Sequence, residues 1–340
     1  MKNLTAMRRK SALVLSVLLA LSLTACGSET AEALRFGTGN VAGTYYACGA
    51  AITELAQTEM ENTAFNVKST AGSAANIRLL SEGFLQLAFA QNDTLHDAYT
   101  GTGTFAHPGA SAAIGAEHTY SAVAALYTES CQVVVPADSD IESVADLRGK
   151  TVSVGEEESG VLQNADQILL AYGLTRQMLT AKYLSFSASA EAMLEGEIDA
   201  MFFTAGAPTS AIENLAGEMD VRILSLDDDA IMNLSESYGF YSPCAIPAGT
   251  YAGQTEPVKT VGVKSVLVAA DDVPAETVEA LTAAIFTHGA DLQYSTPGNT
   301  RPDLEFATEG VSIPFHQGAL NYYAQQGLTP ATAENGGGNA

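Results

Sequence analysis

Four times along this chain a short apolar run ends in glycine or small hydroxyl residues and then enters an apolar helical pattern, at residues 37–44, 70–73, 155–159 and 204–208. Strand-like runs alternating with helical patterns are the signature of an α/β fold with largely parallel sheets. In open parallel sheets such loops lie at the carboxyl ends of the strands, where ligands bind. Each loop also delivers a helix N-terminus, whose unpaired N–H groups and dipole attract anions. Thr44, Ser73 and Ser159 stand ahead of apolar helices as N-cap residues, and Pro208 suits a first helical turn. Any one of these reads as capping alone. Four together predict a convergent anion site, two loops coming from each of two lobes.

In the first loop, "RFGTGNVAGTYYACG", Gly37, Gly39 and Gly43 spell GxGxxxG, one residue longer than the dinucleotide fingerprint. The next strand ends in Lys68-Ser69-Thr70 and lacks the acidic residue that would hold a ribose. A nucleotide turn is therefore disfavoured, leaving a tight strand-to-helix turn or one wall of a ligand site. The four loops contain no Arg or Lys, and Lys68 lies just upstream in its strand. A bound carboxylate would be held by backbone amides, hydroxyls and the side-chain amides of Asn76, Gln91 and Asn92.

Lys2, Arg8, Arg9 and Lys10 precede an apolar run over residues 11–23, followed by Leu23-Thr24-Ala25-Cys26. This is the layout of a secretory signal peptide, and the run falls short of the roughly 20 residues that span a bilayer. The "LTAC" ending resembles the bacterial lipobox. It predicts removal of residues 1–25, lipidation of Cys26, a tether over 26–33 and an extracytoplasmic protein anchored to the membrane as a lipoprotein. The whole chain carries −24, and losing four cations takes the mature part to −28. Nucleic acid and anionic membrane surfaces would repel it.

Beyond Cys26 only Cys48, Cys131 and Cys244 remain, so at most one bridge can form. Cys131 and Cys244, both near points where the chain changes lobe, are the candidate pair. The five histidines are scattered and there is no CxxC, so neither a metal nor a cofactor is expected. The chain reads as lobe one over 34–129, lobe two over 130–258, a return to lobe one over 259–328 and a flexible tail over 329–340. "SAVAALYT" and "CQVVVP" read as two strands separated by "ES". The lobe crossings predict hinges near 129–131 and 249–259.

Seven segments, "FGTGNVAGTYYACGAAI", "TAGSAANIRLLSEG", "LAFAQND", "VADLRGKTVSVGEEESG", "FFTAGAPTSAI", "IPAGTYAGQ" and "FHQGALNYYAQQG", resemble in order the landmarks of the TAXI family. These are the TRAP-associated extracytoplasmic immunogenic proteins, solute receptors of TRAP transporters. The resemblance implies a two-lobed, type II periplasmic-binding-protein-like fold that closes on a small organic acid or amino acid, glutamate- or glutamine-like. It implies a monomeric receptor that docks on a sodium-coupled TRAP membrane permease. The family's ligand-facing motifs fall on Gly39, Gly43, Thr44, Tyr45, Gly72, Ser73, Asn76 and Gln91, with Asn92 beside them. In the second lobe they fall on Ser159, Gly160, Thr204, Ala205 and Gly206.

Two departures from the family pattern stand out. Glu156-Glu157-Glu158 replaces a neutral turn and reads as a solvated acidic face beside a helix N-terminus. Asn92 replaces a small hydroxyl residue after Gln91. No GxSxG turn, HExxH helix or Cys/His pair is present, which points to binding rather than catalysis. The alternatives are a receptor serving a membrane sensor kinase, or an exported enzyme using Asp93, Glu157 or Glu158. With no Arg in the loops, an amino acid is expected to outcompete a dicarboxylate, its ammonium finding Asp93 or one of Glu156 to Glu158.

Overall fold

The computed structural model describes residues 33–60, 63–106, 118–297 and 301–330. The predicted signal peptide, Cys26, the tether as far as residue 32 and the tail from residue 331 lie outside the described residues.

The first third alternates strand and helix: β1 (Leu34–Gly37), α1 (Thr44–Glu59), β2 (Phe65–Lys68), α2 (Ser73–Ser81), β3 (Leu87–Gln91) and α3 (Asn92–Thr100). β1 pairs in parallel with both β2 and β3. All five residues of β3 are buried, as expected for an apolar run in a sheet covered on both faces. The chain then enters β4 (Tyr120–Pro136), one continuous strand where the sequence suggests two. Glu129 and Ser130 do not interrupt it, because neither supplies the glycine or proline conformations that a turn requires.

Beyond β4 come β5 (Thr151–Ser153), α4 (Gly160–Ala171), β6 (Thr180–Lys182), α5 (Phe186–Leu194), β7 (Ala200–Ala205) and α6 (Ser210–Glu218). β8 (Val221–Ile223), α7 (Asp228–Tyr238) and β9 (Ser242–Ile246) lead to β10 (Val258–Ala270). α8 (Ala275–Thr287), α9 (Leu304–Thr308) and α10 (Gln317–Gln325) follow. The strands run in the order β2-β1-β3-β10-β4-β7-β5-β6, with β8 added to β4 and β9 to β10.

β4 and β10 are the two long members, antiparallel to each other from Tyr120–Ala270 to Ser130–Gly262. They join two apolar lobes. One core gathers Phe36, Ile52, Leu80, Phe89, Tyr120, Leu267, Ile285 and Tyr323. The other lies on both faces of the second half of the sheet. Val133 and Val135 turn to one layer with Val152 and Ile168, while Val134 turns to the opposite layer with Phe203 and Leu215. That split follows from the two-residue period of a strand. The architecture is the two-lobed α/β fold expected from the alternation, but the sheet is mixed rather than largely parallel, because β4 and β10 pair antiparallel with each of their neighbours.

Two local expectations are corrected. The helix expected near Pro208 begins at Ser210 behind Thr209, and the Ala207–Pro208 peptide is cis. Cys131 and Cys244 are not bridged. All three described cysteines are free thiols, with Thr204 Oγ1 donating to Cys131 Sγ at 3.6 Å and Cys244 Sγ lying 3.7 Å from Ser130 Oγ. Denatured, processed protein is therefore expected to titrate three thiols besides Cys26, and a count of one would restore the bridge. In the native state Cys48, pushed up to about 12 by burial, should stay unreactive at neutral pH, whereas the half-buried Cys244 should react first.

Candidate functional site: a cavity between the two cores

A cavity of about 50 Å3 lies where the carboxyl ends of β1, β2, β3 and β7 and the helices that follow β1, β2 and β5 come together. Its wall includes Gly39, Gly43, Thr44, Tyr45, Gly72, Ser73 and Gln91 from the first lobe, and Ser159, Gly160, Thr204 and Ala205 from the second. These are eleven of the fourteen residues expected from the sequence. Ser159 caps α4 as foreseen, its Oγ accepting from Leu162 N at 3.1 Å. Helices α1 and α2 follow Gly43 and Gly72 with no side-chain cap, and in α2 the Ala75 N–H donates instead to Glu158 O of the other lobe at 3.0 Å. Ser73 Oγ instead accepts from Gln91 N at 3.1 Å and lies 3.4 Å from Tyr45 Oη.

Asn76, Asn92 and Gly206 do not line the cavity. Asn76 Nδ2 donates to Thr38 O at 2.6 Å and Phe89 O at 2.8 Å, fastening α2 to the strands beneath it. Asn92 Nδ2 donates to Gly310 O and its Oδ1 accepts from Ser312 N, both at 2.9 Å, so it anchors a later loop. Both amides serve buried backbone groups that would otherwise lack partners. Gly206 packs just behind the wall, where a Cβ would stand 1.9 Å from Pro297 Cγ and 3.1 Å from Thr44 Oγ1. Residues 204–208 thus offer the end of β7 but no helix N-terminus, and three such termini converge instead of four.

The glycines have a use that sequence spacing did not reveal. A Cβ on Gly43 would stand 3.1 Å from Phe186 Cε2 and one on Gly72 3.8 Å from Ser159 Cβ. On Gly160 it would stand 2.0 Å from Gln91 Oε1 and 2.9 Å from Ser73 Oγ. Each faces the opposite lobe, so the missing side chains permit close approach of the two cores. Polar ties complete the junction. Ser210 Oγ donates to Ala42 O at 2.9 Å, and Arg78 makes a two-pronged pair with Glu158, both distances 2.9 Å.

The acidic triplet divides. Glu157 and Glu158 are exposed, Glu158 being spent on Arg78, while Glu156 is half-buried and lines the cavity. Asp93 is buried but points away from the wall. Its Oδ1 accepts from Thr94 N at 2.7 Å and its Oδ2 from Asn164 Nδ2 at 2.9 Å across the lobe junction. The acid that the sequence reading missed is Glu129, in the middle of β4, 2 % exposed and part of the wall. Gln91 Nε2 donates to its Oε2 at 3.2 Å, whereas Oε1 has no partner in the protein. Burial drives the Glu129 carboxyl up to about 8, offset in part by the nearby Tyr45, Gln91 and Ser265 side chains. None of those completes a hydrogen bond to Oε1. One sequence signal was available, since an acid inside an otherwise apolar strand run is rarely fully buried without a task.

Leu184, Phe186 and Val161 give the wall an apolar side, Phe186 stacking on Phe203 at 4.2 Å between centroids. Neither Arg nor Lys is among the lining residues. Among the described residues no group of three or more His, Cys, Asp or Glu could hold a metal ion, and no helix is long and apolar enough to cross a membrane.

Comparison with known proteins adds a family and a fold. The NMT1-like family matches residues 36–327. A solved structure from Bordetella bronchiseptica RB50 is similar at 18 % identity and TM-score 0.51, covering 88 % of this chain and 84 % of that one. A structure described as a periplasmic transporter is similar at 14 % identity and TM-score 0.50, covering 81 % and 91 %. The alkanesulfonate-binding protein SsuA from Xanthomonas axonopodis pv. citri, bound to MOPS, matches at 15 % identity and TM-score 0.47, covering 88 % and 81 %. The fold is that of the two-lobed periplasmic binding proteins.

Proposed function

This chain belongs to the NMT1-like family, and from that premise we propose that it is an extracytoplasmic receptor for a small solute. The observation that carries the reading is the cavity itself. It lies between two separately cored lobes, is walled by three helix N-termini and is shut by glycines that face across the junction. Helix N-termini favour a carboxylate or similar anion, and a cavity of about 50 Å3 restricts the solute to a small one. The lobes part and close about β4 near residues 129–131 and the approach to β10 at 249–259, the motion typical of binding proteins. The ordered sequence landmarks favour a TRAP-type permease as partner over a sensor kinase. As for an exported enzyme, two of the acids suited to that role, Asp93 and Glu158, are bonded elsewhere, and Glu157 is exposed and lies outside the wall.

Mass spectrometry of small molecules released from the purified protein, followed by small-angle scattering with the recovered solute, tests this reading. The solute should emerge chemically unchanged and should compact the protein. An unchanged radius of gyration at saturation, or a converted product, would count against a receptor. The lipobox makes a separate prediction. Cys26→Ser should leave the protein unanchored or unprocessed, because stable attachment needs the acyl chains that Cys26 would carry. Membrane fractionation identical to the natural chain would remove the lipoprotein from the proposal.

A further inference from the structure

Resting on the receptor reading, we infer that Glu129 selects the ligand's charge: its carboxylate takes a ligand ammonium group, with Gln91 Oε1 and Thr44 Oγ1 as further acceptors. Three unpartnered side-chain oxygens belong to residues of this one wall, Glu129 Oε1, Gln91 Oε1 and Thr44 Oγ1. A buried acceptor with no donor is costly, and native proteins keep very few. An ammonium carries three donors and accepts nothing, which is the complement of three orphan acceptors. A carboxylate offers the opposite. Placed against these three oxygens with no Arg or Lys in the wall, it would bring acceptors to acceptors and leave them without donors. The three helix N-termini remain for the anionic end of the solute.

With burial holding the Glu129 carboxyl up to about 8, most of it is protonated at neutral pH before ligand arrives. An incoming ammonium favours the carboxylate, so binding should release a proton: the carboxyl O–H bond breaks, the proton leaves to buffer, and the ammonium donates in its place. The titratable groups around Glu129 are Tyr45 on α1, Asp93 on α3, and Tyr127 and Cys131 on β4. The tyrosines and Cys131 are all driven further from neutrality by burial, so they stay protonated. Asp93, driven up to about 6, is mostly ionised already.

The test is calorimetry of the purified full chain against the common L-amino acids, their 2-oxo acid counterparts and succinate, at neutral pH in two buffers of different ionisation enthalpy. The expected result is an amino acid bound roughly ten- to hundredfold tighter than its 2-oxo counterpart, with nearly one proton released. Glu129→Gln, which keeps shape and hydrogen-bonding capacity, should erase both the preference and the proton release. Thr44→Val should weaken the amino acid alone and guards against a misfolded first variant, and an unchanged affinity there would remove Thr44 from the acceptor set. A 2-oxo acid or succinate bound as tightly as any amine, or amine binding that survives Glu129→Gln, would overturn the role of Glu129 while leaving the receptor reading intact. If Glu129 acts as a neutral donor to an oxo group, Gln will substitute for it and no proton will be released. Failure of every solute to bind or to compact the protein would overturn both readings together.

Discussion

Gly160→Val is expected to leave both lobes folded and yet weaken ligand binding roughly ten- to hundredfold, the consequence of about 1 to 3 kcal/mol of overpacking that appears only when the lobes meet. The residue opens α4, and its Cβ would fall 2.0 Å from Gln91 Oε1 and 2.5 Å from Gln91 Cδ, atoms of the opposite lobe. Gln91 cannot swing away without surrendering its hydrogen bond to Glu129. Within its own lobe the substitution meets no comparable obstacle, and its backbone is not in the left-handed region. Scattering in the presence of ligand should return the more open radius, while circular dichroism stays native. Gly217→Ala is the control. A Cβ there touches nothing within 4 Å, so it should raise stability slightly through helix propensity and leave affinity unchanged. Equal affinity in Gly160→Val and the natural chain would mean that ligand is held with the lobes apart.

The unfolding free energy of ligand-free protein is expected to fall by several kcal/mol between about pH 5 and about pH 9, at about 1.4 kcal/mol for each pH unit of displacement. Burial raises Asp93 to about 6 and Glu129 to about 8, so the folded chain keeps protons that the unfolded chain has already released. The stability these protons contribute is fully present below the ordinary carboxyl range. It is lost as pH rises, first through Asp93 and then through Glu129. Urea unfolding across this range should therefore show a falling midpoint, and Glu129→Gln should flatten the part above about pH 6.5. A midpoint that climbs between about pH 7 and about pH 9 would mean that Glu129 is ionised and well partnered in the folded protein. Saturating ligand should also flatten the curve if an ammonium sits on Glu129, since the ionised form then has its partner.

The residues that the sequence placed well are those whose role is local. Periodicity reads the turn from β1 into α1 and the start of α2, and cap chemistry reads Ser159, but Thr44 and Ser73, expected as caps, are the first helical residues behind Gly43 and Gly72 and cap nothing. The eleven expected positions on the cavity wall came from the family resemblance. They gather there because parallel strands within each lobe end at one edge, and the two sets, running in opposite directions, turn those edges toward each other. Asn76 and Asn92 look alike to any local reading, yet their amides turn inward to backbone groups that are distant in sequence, Gly310 and Ser312 lying more than 200 residues beyond Asn92.

What only the tertiary structure decided is set by long-range pairing. Glu129 becomes part of the site because β4 continues unbroken through it and lays it between Gln91 and Tyr45. Cys131 and Cys244 remain free thiols, Cys131 set against the Thr204 hydroxyl and Cys244 against that of Ser130. The amino-acid sequence determined the α/β alternation, the helix starts and the small-residue loops, since those follow from neighbours along the chain. Which glycine faces which side chain across the lobes, and which acid keeps one oxygen unpartnered, was decided by packing two cores on shared strands, where each contact joins residues that no sequence window contains.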